Sequence, residues 1–366
     1  MKLNFDTIII TSDEPYSDMW HTQIIYTEFL SKNNAIIYIN PPKKWAVKNL
    51  FYFKPLKKNI RENLIVLNYV NVFPSISFIF SRINEVVNQF LLKKELKRKD
   101  AKKILIWHFD SFRNAFTSLG FRKHFSIKRI YHIIDPFYNN PINDILAEIS
   151  DVLVITSPRN NVYYKKHESK ILNIPQCVDI EQSKAMLCDV NHKIVIKNSY
   201  FVLLGTISDD IDFNWLLSLL ENKNIVLLLI GKVISENISF KKLMGQHNVK
   251  YLGVMPPKKF YPILKNALAG LIVYNDERKL KFFSPLKAVN YLIAGIPVIS
   301  NVDCEINLLN NNGMYVANNI NEFFTFINAA IDGHLICNQP VVSEYLQTIS
   351  IDNAVKKIIT RLPDVI

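Results

Sequence analysis

Phe283-Ser284-Pro285-Leu286-Lys287-Ala288-Val289-Asn290-Tyr291-Leu292-Ile293-Ala294-Gly295-Ile296-Pro297-Val298-Ile299-Ser300 spells a complete helix followed at once by a buried strand. Ser284 suits the N-cap, Pro285 the first helical position and Gly295 the residue past the end, while Pro297 stops the helix from resuming. Lys287 is the anomaly. The first turn of a helix carries a partial positive charge and prefers acids, so a lysine there opposes the macrodipole. A cation placed where free backbone N–H groups also point implies a bound anion, most simply a phosphate; the bland alternative is a lysine in solvent.

Outward from this segment, short apolar runs alternate with amphipathic stretches in both halves, the pattern of βαβ units and parallel sheets. Strands are expected at 7–11, 35–39, 64–67, 104–107, 129–133, 152–155 and 171–174. After a polar connector over 181–198 they resume at 201–205, 225–230, 249–252, 270–274, 298–300 and 314–316. Helices are expected at 20–31, 75–97, 111–119, 141–150 and 158–166, then at 213–220, 258–267, 285–294, 322–330, 342–347 and 351–361. A chain of 366 residues exceeds one ordinary core, so two domains are expected.

Glycine separates the halves. Only Gly120 lies before residue 200, and no Gly-x-Gly-x-x-Gly occurs. Gly205, Gly231, Gly253 and Gly295 stand near strand ends in the second half, which makes that half the better phosphate cradle. The simplest division puts nucleotide on the second domain and acceptor on the first.

The net charge of +12 is uneven: residues 1–185 carry +10 and the remainder +2. Lysines between Lys43 and Arg61 alternate with Trp45, Phe51, Tyr52 and Phe53, and a second basic run extends from Lys93 to Lys103. Such segments suit an anionic bilayer, at about 1 kcal/mol per cation. They would also suit nucleic acid, or form a solvated face; no arginine-rich helix or aromatic RNA-binding strand supports nucleic acid. No apolar run approaches a membrane span, and the start, interrupted by Asp6, does not read as a signal peptide. Cys177, Cys188, Cys304 and Cys337 are scattered and are expected to be reduced thiols, without structural zinc, in a cytoplasmic protein.

The second half resembles the C-terminal domain of GT-B glycosyltransferases, particularly bacterial teichuronic-acid-type and capsular or exopolysaccharide transferases. The pieces come in order: Leu203-Leu204-Gly205 with Ile211-Asp212-Phe213, Leu228-Leu229-Ile230-Gly231, Val249-Lys250-Tyr251-Leu252-Gly253, then Ser284-Pro285-Leu286-Lys287 through Val298. Asp151 to Ser157 and Ile174-Pro175-Gln176-Cys177-Val178-Asp179 add weaker matches, the latter departing from the family's closing turn at Gln176-Cys177. The resemblance implies an α/β protein of two facing Rossmann-like domains with a central cleft: an acceptor domain over 1–185, a nucleotide-sugar domain over 186–345, and a C-terminal helix over 346–366 packing back toward the first domain. It implies a nucleotide diphosphate sugar as donor substrate, with no further cofactor and no metal. The acceptor would be a lipid-linked or growing surface-polysaccharide chain, met by a cytoplasmic enzyme resting on the inner membrane face.

Residue by residue, the resemblance implies that Lys287 holds the diphosphate with Lys281 as an auxiliary cation. The backbone at Ser284, Pro285 and Leu286 opens the phosphate cradle beside Gly205, and Gly253-Val254-Met255 packs the base. Many retaining members have a glutamate where this chain has Asn290, which can bond a ribose hydroxyl but supplies no charge. Relatives carry an aspartate near Asp135, making it the first candidate base; otherwise it caps the segment leading to Pro141. His132 is the second candidate, or a packed core residue. His108, Asp110, Trp20 and His21 are acceptor-side candidates. Asp209-Asp210-Ile211-Asp212 could pass for a metal-binding Asp-x-Asp, but Asp212 directly precedes a helix and reads as its cap. Rival readings are a nucleotide-sugar epimerase on the same fold, for which no acid–base set assembles, and a non-catalytic glycan-assembly partner with a degenerate donor site, which Asn290 favours.

Overall fold

The computed structural model describes residues 1–42, 56–69, 71–74, 78–110, 124–134, 141–187, 199–234, 237–275, 285–304, 306 and 309–362. Asp135, Lys281, Ser284, the loop 276–279, the expected helix at 111–119 and the basic-aromatic residues 43–55 lie outside them. The contacts divide the chain into two units. One comprises Met1–Ser17, His21–Pro175 and Ala354–Ile366; the other comprises Asp18–Trp20 and Gln176–Asn353.

In the first unit, β1 (Thr7–Thr11), β2 (Ile36–Ile39), β4 (Leu64–Asn68), β5 (Lys103–His108), β6 (Ser126–Ile133), β7 (Val152–Ile155) and β8 (Ile171–Asn173) are parallel. With antiparallel β3 (Leu56–Arg61) at one edge, the order is β3-β4-β2-β1-β5-β6-β7-β8. Strands such as TIIIT, IIYI and VLVI are buried at every position, as expected of a parallel sheet covered on both faces. β3 is the exception to the sequence reading. Its sequence LKKNIR carries no apolar run, and charge on an edge strand keeps that edge from pairing further. The helices of this unit are α1 (Thr22–Ser31), α2 (Phe78–Arg98) and α3 (Pro141–Ile149). The helix expected at 158–166 is instead a 3-10 stretch over Pro158–Lys170, with Tyr164 and His167 outside helical dihedrals.

The second unit begins with α4 (Ile180–Leu187), within what reads from sequence as a connector. Its strands are β9 (Tyr200–Leu204), β10 (Val226–Ile230), β11 (Val249–Gly253), β12 (Ala269–Ile272), β13 (Val298–Ser300) and β14 (Met314–Val316), all parallel, in the order β11-β10-β9-β12-β13-β14. Period-2 alternation deals their side chains to two cores. Tyr200, Val202, Leu204, Val226 and Leu228 face one; Phe201, Leu203, Leu227 and Leu229 face the other. The helices are α5 (Phe213–Leu219), α6 (Ile238–Met244), α7 (Pro257–Leu264), α8 (Leu286–Ile293), α9 (Ile320–Ile331), α10 (Gln339–Thr348) and α11 (Ile351–Thr360). α11 runs from this unit into the first, where Arg361 Nη2 donates to Ser169 O at 3.0 Å.

The sheet order reverses between β9 and β12, the topological switch point at which open α/β sheets bind ligands beyond the strand carboxyl ends. The ladder between these strands covers only Phe201 opposite Ala269 and Val202 opposite Gly270. Tyr291 of α8 fills the opening. Leu204 N–H donates to its hydroxyl at 2.7 Å, and that hydroxyl shares its proton between Val202 O (3.2 Å) and Leu271 O (3.3 Å). A Cβ at Gly270 would lie 2.2 Å from the Tyr291 ring, so glycine is what lets the ring reach this gap.

Candidate functional site

α8 carries the decisive segment. Its N-cap is Pro285 with ψ 117°, so the helix starts at Leu286, one residue later than the sequence reading, because an extended ψ keeps the proline outside the helical run. No side chain caps this end and its first turn holds no acid. Ala288 N–H donates back to Pro285 O at 3.1 Å, which leaves the N–H groups of Leu286 and Lys287 without an intrahelical partner. Gly295 follows the helix at φ +80°, as a terminating glycine should.

Lys287 extends from the first turn of α8 to the end of β9. A Cβ built on Gly205 would sit 3.2 Å from both Cε and Nζ of Lys287, so the missing side chain is the space the lysine occupies. The ammonium also lies 4.9 Å from the ring centroid of Tyr274, whose π face attracts it. Tyr274 is held in turn by Asn301: Tyr274 N–H donates to Asn301 Oδ1 at 2.9 Å, and Asn301 Nδ2 donates to Tyr274 O at 2.8 Å. This side-chain amide extends the β12–β13 pairing past its last backbone rung.

Three glycines border the same carboxyl edge on adjacent strands. Gly205 N–H donates to Ile230 O at 2.8 Å and Gly231 N–H to Gly253 O at 2.9 Å, all three residues having positive φ. Tyr251 O–H donates to Gly231 O at 2.9 Å, and the neighbouring Val254 is 54% exposed, an apolar surface open to a ligand. Asn290, one turn along α8, is buried, and its Oδ1 accepts from Tyr261 O–H at 2.8 Å. That leaves the Asn290 amide N–H groups as what it can offer. The structure therefore brings Gly205, Gly253, Val254, Pro285, Leu286, Lys287 and Asn290 onto the carboxyl side of one sheet and the helix beside it. Tyr274, Asn301 and Tyr291 were missed as site-builders; a lone asparagine directly after the apolar β13 was the available signal for Asn301.

Asp212 caps α5, its Oδ1 accepting from Asn214 N (3.0 Å) and Trp215 N (3.4 Å), while Asn237 Nδ2 donates to Asp209 Oδ1 at 2.6 Å. Among the described residues no group of three or more His, Cys, Asp or Glu side chains is placed to hold a metal ion.

In the first unit, the switch point falls between β1 and β5, where Thr11 pairs with His108. His108 is fully buried, with Thr11 Oγ1 3.3 Å from Nδ1 and Arg129 Nη1 3.2 Å from Nε2. Arginine can only donate, so Nε2 accepts and Nδ1 carries the proton toward Thr11. Burial, aided by the Arg129 charge, pushes the His108 pKa well below the usual imidazole value. Asp110, two residues on, is also buried. Trp20 belongs with the second unit, its ring edge-on to Tyr261 at 6.2 Å. His21 is exposed at the N-cap of α1 and makes no side-chain capping bond.

His132 sits among rings: Phe109 stacks at 4.7 Å, Trp107 at 6.4 Å, and Tyr26 meets it edge-on at 5.1 Å. It is 1% exposed and neither ring nitrogen has a hydrogen-bond partner. Burial lowers its pKa to about 3, so the ring is neutral near pH 7 and too weak a base to take an acceptor proton. The consequence is a pH dependence of stability. Between pH 6.5 and about 3 the unfolded chain binds a proton on His132 that the folded chain does not, so stability is present above 6.5 and is lost as the pH falls. The slope is about 1.4 kcal/mol per pH unit. His132→Phe keeps the stacked ring and removes the titration, and should exceed the parent's stability by about 2 kcal/mol more at pH 5 than at pH 7 in urea unfolding. Parallel stability curves for the two proteins would refute this.

No protein-family model matches the chain and no curated protein matches it in sequence. Solved structures do. The E. coli trehalose-6-phosphate structure bound with UDP-2-fluoro glucose aligns with TM-score 0.70 at 10% identity over 98% of this chain and 99% of its own. Sucrose-phosphate synthase from Thermosynechococcus elongatus gives TM-score 0.67 at 11% identity, covering 98% of each chain. A lipopolysaccharide outer core galactosyltransferase gives 0.58 at 14%, covering 97% and 98%. At these identities the likeness shows the fold: the chain has the two-domain α/β fold of the GT-B glycosyltransferases.

Proposed function

We propose that the chain is a glycosyltransferase that moves a sugar from a nucleotide diphosphate sugar to a lipid-linked or growing surface-polysaccharide acceptor. The carrying observation is Lys287, drawn over Gly205 at an uncapped helix N-terminus beside the sheet's switch point. In transfer, the bond from the anomeric carbon to the diphosphate oxygen breaks, a bond to the acceptor oxygen forms, and the acceptor's proton passes to a base. Negative charge grows on the leaving diphosphate. Lys287 and the N–H groups opening α8 would receive it, doing electrostatically what a metal does elsewhere. Val254 would pack the base and the Asn290 amide would donate to a ribose hydroxyl. Asp135, two residues past β6 in the sequence, is the candidate base for the acceptor.

The lipopolysaccharide galactosyltransferase supports the glycan-acceptor reading, and the UDP-sugar complex of the E. coli neighbour supports the donor class. The test is a panel of UDP- and GDP-sugars titrated by calorimetry, then incubated with bacterial lipid extract and read by mass spectrometry. A donor bound in the micromolar range and a lipid product heavier by one sugar are expected. Binding without any product would favour the assembly-partner reading, and no binding at all would end the donor assignment.

A further inference from the structure

α2 is built inside out. Asn84, Asn88, Gln89 and Glu95 are buried at 2–6% exposure, while Ile79 (68%), Ile83 (37%), Val86 (57%) and Phe90 (68%) face solvent. Asn84, Gln89 and Glu95 are engaged. Asn84 Oδ1 accepts from Val72 N (2.9 Å) and Phe73 N (3.0 Å), and its Nδ2 donates to Phe73 O (2.9 Å). Glu95 takes the Lys57 ammonium at 2.6 Å, and Leu92 and Leu96 pin the helix to the core. The first half of the helix thus assigns Asn84, Asn88 and Gln89 to the fold and leaves Ile79, Ile83, Val86 and Phe90 outside, the reverse of an ordinary surface helix.

The outward residues recur at helical spacing. At 100° per residue the four apolar side chains fall within an arc of about 60°, and Lys94 and Lys97 continue the same stripe, both exposed. The row from Ile79 to Lys97 is roughly 27 Å long at 1.5 Å per residue. It is apolar over its first half and basic over its second, on the half of the chain that carries +10 of the +12 net charge.

We propose that this face of α2 docks the protein on an anionic lipid bilayer, Ile79, Ile83, Val86 and Phe90 entering the acyl boundary and Lys94 and Lys97 meeting the headgroups. The purpose rests on the lipid-linked acceptor reading; the surface itself does not. A bilayer needs no complementary shape and accepts a single row of side chains, with cations gaining at its anionic surface. A second copy fits worse. Parallel helices would set Lys94 and Lys97 against their own counterparts, and antiparallel ones would lay them on Ile79 and Ile83.

The test is flotation of the full chain with phosphatidylcholine vesicles, with and without about 30% phosphatidylglycerol. Binding is expected only with the anionic lipid, weakening as salt is raised. Val86→Asp/Phe90→Asp should cut partitioning at least tenfold. Lys94→Glu/Lys97→Glu should do the same, since each cation near the surface is worth about fivefold. All four positions are exposed, and circular dichroism should report an unchanged fold; the two pairs give independent readings should one fail to fold. Equal binding to neutral vesicles, no binding, or parental partitioning in a folded variant overturns the proposal. So does a dimer, seen by sedimentation velocity, that Val86→Asp/Phe90→Asp dissolves. UDP- and GDP-sugar affinity should be unchanged in both pairs. Vesicle binding without any donor binding would leave this surface standing and remove the transferase reading instead.

Discussion

Lys287→Ala should weaken UDP- or GDP-sugar binding at least about thirtyfold while leaving the melting temperature unchanged or slightly higher. The two halves of this expectation have separate causes. A charge-assisted hydrogen bond to phosphate is worth about 1.5–3 kcal/mol when desolvated, and the upper part of that range gives thirtyfold or more. Stability should not suffer, because the lysine is badly placed for its own helix. It opposes the macrodipole in an uncapped first turn that itself holds no acid, and alanine has the better helix propensity. What alanine forfeits is the contact with the Tyr274 ring, at about 0.5–1 kcal/mol. A residue that costs its helix something and occupies a space left by a glycine is explained by what it holds. Isothermal titration of the parent and variant with the same nucleotide, beside calorimetric melting, decides it. Unchanged affinity with unchanged melting would leave Lys287 as a surface cation and move the phosphate site elsewhere.

Gly231→Ala should destabilise the second unit by more than about 3 kcal/mol, among the largest effects for a one-carbon change. The new Cβ would stand 1.8 Å from Gly205 O and 2.6 Å from Gly205 C, at φ +147°. These are backbone atoms, and moving them breaks the bonds from Gly205 N–H to Ile230 O and from Gly231 N–H to Gly253 O. Strain and lost pairing therefore add. Gly253→Ala is the control, since nothing lies within 4 Å of its Cβ and only its φ of +76° opposes the change, at about 1–2 kcal/mol. Urea unfolding of the two variants side by side measures the difference. Equal midpoints would mean that β9 and β10 do not approach as closely as the glycine pair requires.

Much of the architecture was legible in the residues. Strands such as VLLLI and YFVLL announce burial on both faces, and Asp212 announces a helix start that its side-chain bonds confirm. The failures share a cause. β3 lacks an apolar run because an edge strand needs none on its open side, so LKKNIR resembles a loop. α4 and α6 are short, and seven or eight residues carry too little periodicity to stand out. Pro158–Lys170 has a proline start and a plausible helical composition, yet its packing leaves Tyr164 and His167 outside helical dihedrals.

The site divides along the same line. Lys287 was visible because its charge contradicts its position, and the glycines because they recur at strand ends. His132 could not be judged from its neighbours in sequence, since Tyr26 and Trp107, which share its enclosure, arrive from other elements and settle whether the imidazole meets water. Asn290 likewise reads as a free amide until Tyr261, brought by α7, takes its oxygen.

By itself, then, the chain of residues determined the alternation of strands and helices, the excess of charge in the first half and the odd lysine at a helix start, all of them local properties written in spacing and type. Tertiary structure decided which face of α2 turns outward and what space Lys287 fills. It also decided that Tyr291 closes the gap between β9 and β12. These depend on groups distant in sequence that become neighbours only when the sheets form, and a pattern of hydrophobicity records which residues prefer burial without recording what they are buried against.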